Sequence, residues 1–294
     1  MNLGARWYPP IERILLARGT RGMDRLARYL PPDYCARAAQ ATWQARPRVL
    51  LTTGFYVAGH PETDGPPGAF FLARGLARSG AQVGFVAESD TLTLLRALTA
   101  AMWPAGTAPP ELITFPIAEA ESSRAFAVDL YTDWRPTLVV AIERCGRTAT
   151  GRYLNMHSVD ISAYTAQLDD LLAAPGAVTV GIGDGGNEIG MGRLAPVIQA
   201  ELGRAAPCVT PADYLVVAAV SNWGAFGLLA YLSTLAGHDL LPGNDESVAA
   251  LRLLADLGAI HSLSRRAEAG VDGFAPEVEA AVLDELRAAG AVLD

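Results

Sequence analysis

Lysine is absent from this sequence of 294 residues, so all 23 of its basic side chains are arginine. A Schiff base with a carbonyl substrate, a pyridoxal phosphate linkage and the lysine of a phosphate-binding loop all need a side-chain amine. The chain cannot supply one. We therefore exclude these chemistries, and no pyridoxal phosphate is expected.

Cysteine and positive charge are also scarce. The three cysteines, Cys35, Cys145 and Cys208, are widely spaced and form no CxxC pattern. They therefore indicate neither a disulfide framework nor a zinc ribbon, and they fit a reducing, cytoplasmic compartment. The formal net charge of -8 argues against a nucleic-acid partner, which would require clustered positive charge.

Long apolar runs are missing, although 51% of the residues are hydrophobic. No stretch is long and apolar enough to span a membrane, and the N-terminus has no continuous apolar signal core. The chain can still bury a large core. We predict that residues 1–294 form a single α/β domain, with 1–46 as a helical N-terminal segment packed on it. The apolar segment 225–236 would lie either in that core or in the interface of a homo-oligomer.

Short apolar runs alternate with helical segments after Pro47, which predicts a mostly parallel sheet flanked by helices in three layers. Three helices are expected before it, at 9–18, 23–30 and 33–44, and a final one at 276–289. Connecting helices of ten to fifteen residues would make the crossovers. The predicted strands are 49–53, 82–87, 112–115, 137–142, 177–182 and 214–220.

Carboxylates follow several of these strands. Ligands bind at the carboxyl ends of the strands in open parallel sheets, so these positions are candidates for catalysis. Glu62 and Asp64 lie in a loop rich in glycine and proline after the first strand. Glu143 is the first polar residue after the fourth. If that loop is considered alone, solvated acids in a turn rich in glycine and proline are the better explanation of Glu62 and Asp64.

A glycine-rich loop, residues 181–192, follows the fifth strand. Gly181, Gly183 and Gly186 spell GxGxxG, which is typical of dinucleotide sites when it lies between a strand and a helix. Asp184 and Glu188 would repel a pyrophosphate there, so we expect the loop to bring a small polar ligand or a cation close to these carboxylates.

Other polar residues in these loops have two interpretations each. Asp160 could cap a helix or contact substrate, and so could Asn222, which follows Ser221 at the end of the sixth strand. Cys145 and His157 could form a nucleophile–base pair, but the histidines lack any ligand spacing. The remaining candidates for substrate binding are Asn155, Gly185, Asn187 and Ser221.

Taken together, these loops resemble the D-glutamate cyclase family over roughly residues 47–275. The match rests on the Glu62–Ala69 segment, Ile142-Glu143-Arg144, Asn155-Met156, Asp160-Ile161-Ser162, the 183–192 run Gly-Asp-Gly-Gly-Asn-Glu-Ile-Gly-Met-Gly and Val220-Ser221-Asn222-Trp223-Gly224. Cys145 stands where the family usually has proline, and His157-Ser158 where it has Arg-Gly. If that arginine binds a substrate carboxylate in relatives, this protein would either accept a different amino acid or use Arg144 or Arg152 instead.

The resemblance implies a lyase that interconverts D-glutamate and 5-oxo-D-proline plus water, or closes the lactam of a related amino acid. Such a reaction requires a base, an acid and charge cancellation on the attacked carboxylate. Asp184 and Glu188 would share the acid and base roles or hold Mg or Mn, with Glu62, Asp64 and Glu143 as further catalytic candidates. No nucleotide is expected. The alternatives are a nucleotide-dependent oxidoreductase that uses the Gly181–Gly186 loop and a non-catalytic small-molecule binding protein.

Overall fold

The computed structural model describes residues 7–291. Within that range the chain forms eight strands and eleven α-helices. The strands are β1 (Arg48–Gly54), β2 (Tyr56–Val57), β3 (His60–Pro61), β4 (Gln82–Ala87), β5 (Glu111–Thr114), β6 (Leu138–Arg144), β7 (Val178–Gly183) and β8 (Tyr214–Val217). The helices are α1 (Pro10–Leu16), α2 (Met23–Leu26), α3 (Tyr34–Ala45), α4 (Pro66–Arg78), α5 (Ser89–Met102), α6 (Ala120–Trp134), α7 (Asp169–Ala173), α8 (Ala195–Leu202), α9 (Ser221–Ala236), α10 (Asn244–Asp256) and α11 (Pro276–Gly290).

Six of the strands form one parallel sheet in the order β5-β4-β1-β6-β7-β8. Helices cover the sheet, so the predicted α/β fold with a mostly parallel, flanked sheet is confirmed. After β1, the chain adds β4 and β5 toward one edge of the sheet. It then returns to the other side of β1 with β6 and adds β7 and β8 toward the opposite edge. The point where the strand order reverses therefore lies between β1 and β6, which is where such sheets bind ligands.

Strands buried on both sides explain the apolar runs. Every residue of β6 is buried, and only Arg48 of β1 is partly exposed. The long helix α9 packs against three other helices of the same chain, α3, α4 and α11. The apolarity of residues 225–236 is therefore explained by the core and requires no second copy.

Three features differ from the sequence prediction. The antiparallel hairpin of β2 and β3 was not predicted. The crossover from β6 to β7 contains only a 3-10 turn at Ser162–Tyr164 and the short helix α7, and most of that connection forms extended loops. The strand predicted at 214–220 ends at Val217, since the backbone N–H of Ala219 donates to the Leu15 carbonyl, 2.7 Å away at the end of α1.

The N-terminal helices α1 to α3 form where they were predicted, and their apolar side chains belong to the same core as α9 and α11. The assignment of residues 1–294 to a single domain stays a prediction, and residues 1–6 and 292–294 lie outside the described residues. None of the described helices is long and apolar enough to cross a membrane.

Candidate active site

A cavity of about 150 Å³ opens at the carboxyl ends of β1, β6 and β7, beside the point where the strand order reverses. Four predicted carboxylates line it, and the fifth, Asp64, lies behind it. All five are almost completely buried, with exposed fractions of 4% for Glu62, 2% for Asp64, 5% for Glu143, 0% for Asp184 and 1% for Glu188. The structure therefore brings the five predicted catalytic residues into one region.

A β-bulge directs Glu143 into the cavity. Thr53 of β1 pairs with Ile142, but the next residue, Gly54, pairs with Arg144, so Glu143 is an extra residue in the ladder. It adopts a left-handed backbone with φ of 43°, which is uncommon for a residue other than glycine. Bulges of this kind re-aim a side chain at the end of a strand. The Ser221 hydroxyl then donates to Glu143 Oε2 at 2.5 Å.

Asp64 lies at the N-terminus of α9. The backbone N–H groups of Ser221 and Asn222 donate to its two carboxylate oxygens at 3.0 and 2.8 Å. These bonds favour the ionised form, but burial and the nearby charge of Asp272 oppose them. Burial, the largest effect, raises the pKa of Asp64 to about 8.

The other acids respond in the same way. Burial raises the pKa of Glu62 well above its usual value, and the charges of Asp272 and Asp64 add to the effect. Burial likewise raises the pKa of Glu143, with further contributions from Asp184 and Glu188. Carboxyl groups that stay protonated near neutral pH are suited to act as general acids.

The glycine loop after β7 wraps around the side chain of Glu188. The backbone N–H groups of Gly185 and Gly186 donate to its two carboxylate oxygens at 2.7 and 2.8 Å. A Cβ at Gly183 would lie 2.9 Å from Glu188 Oε2, so glycine is required for this close approach. These are the amides that a dinucleotide loop would offer to a pyrophosphate, and here the carboxylate of the chain itself binds them.

Arg21, which the sequence analysis missed, lies among the acids. It comes from the turn between α1 and α2, and its guanidinium donates to Asp184 Oδ1 at 2.6 Å and to both oxygens of Asp272 at 2.7 and 2.5 Å. Burial alone would lower the pKa of Arg21, but the charges of Asp184 and Asp272 hold it above its usual value. The second oxygen of Asp184 has no hydrogen-bond partner among the described residues.

Asp272 was also missed. Burial alone would raise its pKa, but Arg21 outweighs that effect and lowers it, and the Ser262 hydroxyl donates to Asp272 Oδ1 at 2.6 Å. Burial raises the pKa of Asp184 in spite of the same arginine. In the sequence, Arg21 is followed by Gly22 and Asp272 by Gly273. These glycines indicate turns, but they give no sign that either residue belongs to an active site.

Two sets of three carboxylates could hold a cation. One is Asp64, Asp184 and Asp272, and the other is Glu143, Asp184 and Glu188; in each, one oxygen per residue lies within 4.8 Å of the others. The Arg21 guanidinium already bridges two members of the first set. The second set includes the unpartnered oxygen of Asp184, and an all-oxygen ligand set suits Mg or Mn. It fits a divalent cation better than the first.

Four of the seven predicted substrate-binding residues lie outside the cavity lining, namely Arg144, Asp160, Ser221 and Asn222. Arg144 is completely buried and pairs with Glu88, and its guanidinium also donates to the Ala166 carbonyl at 2.8 Å. Asp160 pairs with Arg152 at the surface and accepts from the backbone N–H of Ser162 at 2.9 Å, which is a capping role. We retain neither Arg144 nor Asp160 as a substrate ligand.

Asn222 is a structural residue too. Its side-chain oxygen accepts from the backbone N–H groups of Gly65 and Gly68 at 3.0 and 2.9 Å, so it caps α4 and not its own helix. Ser221 reaches the site only through its bond to Glu143. The side chain of Asn222 thus has a capping role in the fold, and its substrate contact stays a prediction.

Three other predicted ligands do line the cavity, namely Asn155, Gly185 and Asn187. The side-chain amide of Asn187 donates to the Leu154 carbonyl at 3.0 Å. His157 lines the cavity as well, whereas Cys145 does not. Burial raises the pKa of the Cys145 thiol well above its usual value, so a Cys/His nucleophile is not supported.

Comparisons with known proteins identify a family for this chain. The family model described as "D-glutamate cyclase-like, C-terminal" matches residues 11–287, a range that includes Arg21 and Asp272. The human protein "D-glutamate cyclase, mitochondrial" is 33% identical over 231 residues, which are 74% of this chain and 37% of that protein. The chain thus spans little more than a third of the length of this curated relative.

A solved structure of an exopolyphosphatase-related protein from Bacteroides fragilis covers 87% of this chain and 56% of that chain. Its identity is 10% and its TM-score 0.41. A likeness at this level supports no inference about function.

Proposed function

This chain belongs to the D-glutamate cyclase-like family, and from that premise we propose that it is a lyase that interconverts D-glutamate and 5-oxo-D-proline plus water. The observation that carries the proposal is the set of buried acids around one cavity, several with raised pKa values. Ring closure needs groups that can both accept and donate protons near neutral pH. The substrate is a small amino acid, and no nucleotide takes part.

The ring closure conserves every atom. The amine nitrogen bonds to the carbon of the side-chain carboxylate, one C–O bond of that carboxylate breaks, and two of the three ammonium protons leave with the oxygen as water. The unpartnered oxygen of Asp184 is our candidate for the base that takes a proton from the ammonium. Glu143, whose pKa is raised by burial, is our candidate for the acid that protonates the leaving oxygen.

Glu188 and Glu62 have supporting roles in this proposal. The two loop amides hold Glu188 in the cavity wall, where its charge attracts the ammonium of the substrate. Glu62 lines the same cavity and can exchange protons with the other acids. In the alternative to these direct acid and base roles, Glu143, Asp184 and Glu188 would together hold a Mg or Mn ion, which would cancel charge on the attacked carboxylate.

The nucleotide-dependent alternative is not favoured, because Glu188 occupies the amides that a pyrophosphate would need. The human relative is named as a mitochondrial protein. We propose a cytoplasmic protein here, because the three cysteines are buried and unpaired. A homo-oligomer stays a proposal that only solution measurements can test.

The test is a proton NMR time course of metal-stripped protein with each enantiomer of glutamate and of 5-oxoproline, with and without Mg or Mn. We expect conversion of the D-forms and a loss of at least about a hundredfold in rate in Asp184→Asn and Glu143→Gln. The exposed carboxylate of Asp245 provides the matched control, Asp245→Asn, which should keep the wild-type rate. Binding of D-glutamate with no turnover under any condition would favour the non-catalytic alternative, and stabilisation by NAD alone would favour an oxidoreductase.

A further inference from the structure

Arg265 lies at the cavity, and its charge has no partner within residues 7–291. It lines the cavity, and no described residue forms a hydrogen bond or ion pair with its guanidinium. Arg21, the other arginine among the described lining residues, is held by two aspartates. Arg265 is therefore the guanidinium that is available to an anionic group of a ligand.

The backbone fixes where Arg265 lies. It adopts a left-handed conformation with φ of 56°, and its N–H donates to the His261 carbonyl at 2.8 Å, which closes a tight turn. Just before this turn, Ile260 pairs with the strand segment that carries Glu62, with hydrogen bonds to Pro61 and Thr63 of 2.9 and 3.1 Å. The arginine is thus held at a set place relative to the buried acids.

The chemistry of ring closure indicates which group of the substrate Arg265 would bind. The amine and the side-chain carboxyl of the substrate must reach the buried acids, because both lose or gain protons there. The α-carboxylate keeps its charge throughout and is common to D-glutamate and 5-oxo-D-proline. Any ionised carboxylate among the four in the lining would repel it, so it needs a cation outside them.

Resting on the proposed function, we propose that Arg265 is the specificity-determining residue that binds the α-carboxylate of the substrate at the cavity mouth. Arginine offers two parallel N–H donors to a carboxylate, which fixes orientation as well as charge. The role replaces the one predicted for Arg144 or Arg152, whose guanidinium groups pair with Glu88 and Asp160.

The variants are Arg265→Gln and Arg265→Lys, with Arg266→Gln as the matched control. Arg266 is the next residue, is also exposed and does not line the cavity. Because the contact is the same in substrate and product, Arg265→Gln should raise KM in both directions by about 10- to 100-fold and leave kcat nearly unchanged. Arg265→Lys should recover part of the loss, and Arg266→Gln should match the wild type.

A substrate analogue tests the contact itself. The α-amide of D-glutamate lacks the charge that Arg265 would bind, so the wild type should prefer D-glutamate over it, and Arg265→Gln should lose most of that preference. Unchanged KM and unchanged preference in Arg265→Gln, with normal thermal stability, would overturn the assignment while leaving the cyclase proposal intact.

Failure of the cyclase proposal is recognised separately, as a wild type that converts none of the four compounds. In that case calorimetric titration with 5-oxo-D-proline still decides the role of Arg265, because binding needs no turnover. Binding to the wild type that weakens at least about tenfold in Arg265→Gln and not in Arg266→Gln would support the carboxylate contact. Equal binding by all three proteins, or no binding by the wild type, would overturn it.

Discussion

The metal-free protein should become less stable as the pH rises from 5.5 to 7.5. Asp64 has a pKa of about 8 in the folded protein, whereas an exposed aspartate has a pKa of about 3.9. Between these values the folded state keeps a proton that the unfolded state has lost, so the free energy of unfolding falls with pH. One such group lowers it by about 1.4 kcal/mol per pH unit, or roughly 3 kcal/mol across this range.

Other groups act in the same direction. Burial also raises the pKa values of Glu62, Glu143 and Asp184, so the total fall should exceed that of Asp64 alone. Asp272 has a lowered pKa, and its stabilising effect is present above about pH 3.9 and lost only as the pH falls through its folded pKa. It therefore does not change the slope between pH 5.5 and 7.5.

Urea unfolding followed by tryptophan fluorescence at pH 5.5, 6.5 and 7.5, with EDTA present, measures this slope. Asp64→Asn should flatten it by about 1.4 kcal/mol per pH unit, because one proton is removed from the linkage. Asp245→Asn removes an exposed carboxylate and should leave the slope of the unfolding free energy with pH unchanged. A wild-type stability that is constant or rises with pH would refute the reasoning, as would an equal slope in Asp64→Asn.

Two further predictions concern stability at a fixed pH. Glu88→Gln should lower the free energy of unfolding by about 3–5 kcal/mol, because it leaves the charge of Arg144 buried without its partner. Urea titrations measure this loss, and a value below about 1 kcal/mol would contradict the prediction. Gly181→Ala should cost about 1–3 kcal/mol, because the new Cβ would lie 2.7 Å from the Ile189 carbonyl oxygen. Gly290→Ala is its control, since the nearest atom there is 3.9 Å away, and equal effects at the two sites would refute the steric argument.

The sheet and the carboxylates at its edge could be predicted from the sequence because both depend on local patterns. Apolar runs with helices between them indicate a parallel sheet. The first polar residues after such runs must then meet at its carboxyl edge, as Glu143 and Asp184 do. This reasoning needs no knowledge of which strands are neighbours.

The counter-ions could not be predicted because they are brought by distant parts of the chain. Arg21 lies 163 residues from Asp184 and 251 from Asp272 along the sequence, and no local pattern encodes these pairings. The bulge at Glu143 had no signal either. The bulge changes the alternation of side chains at the end of β6. The guanidinium of Arg144 consequently lies in the core, where it pairs with Glu88.

The acids at this site connect stability with the proposed reaction. Packing Glu62, Glu143 and Asp184 into a buried cavity is unfavourable for their ionised forms, and Arg21 compensates only part of that charge. The same burial raises the pKa values of Glu62 and Glu143, which favours the protonated form that the reaction needs in an acid. Since the perturbed pKa values that destabilise the fold also favour proton transfer, the site should be less stable than an apolar core of the same size. A bound cation or substrate ammonium would relieve the repulsion, so either should stabilise the protein most where the pH is highest.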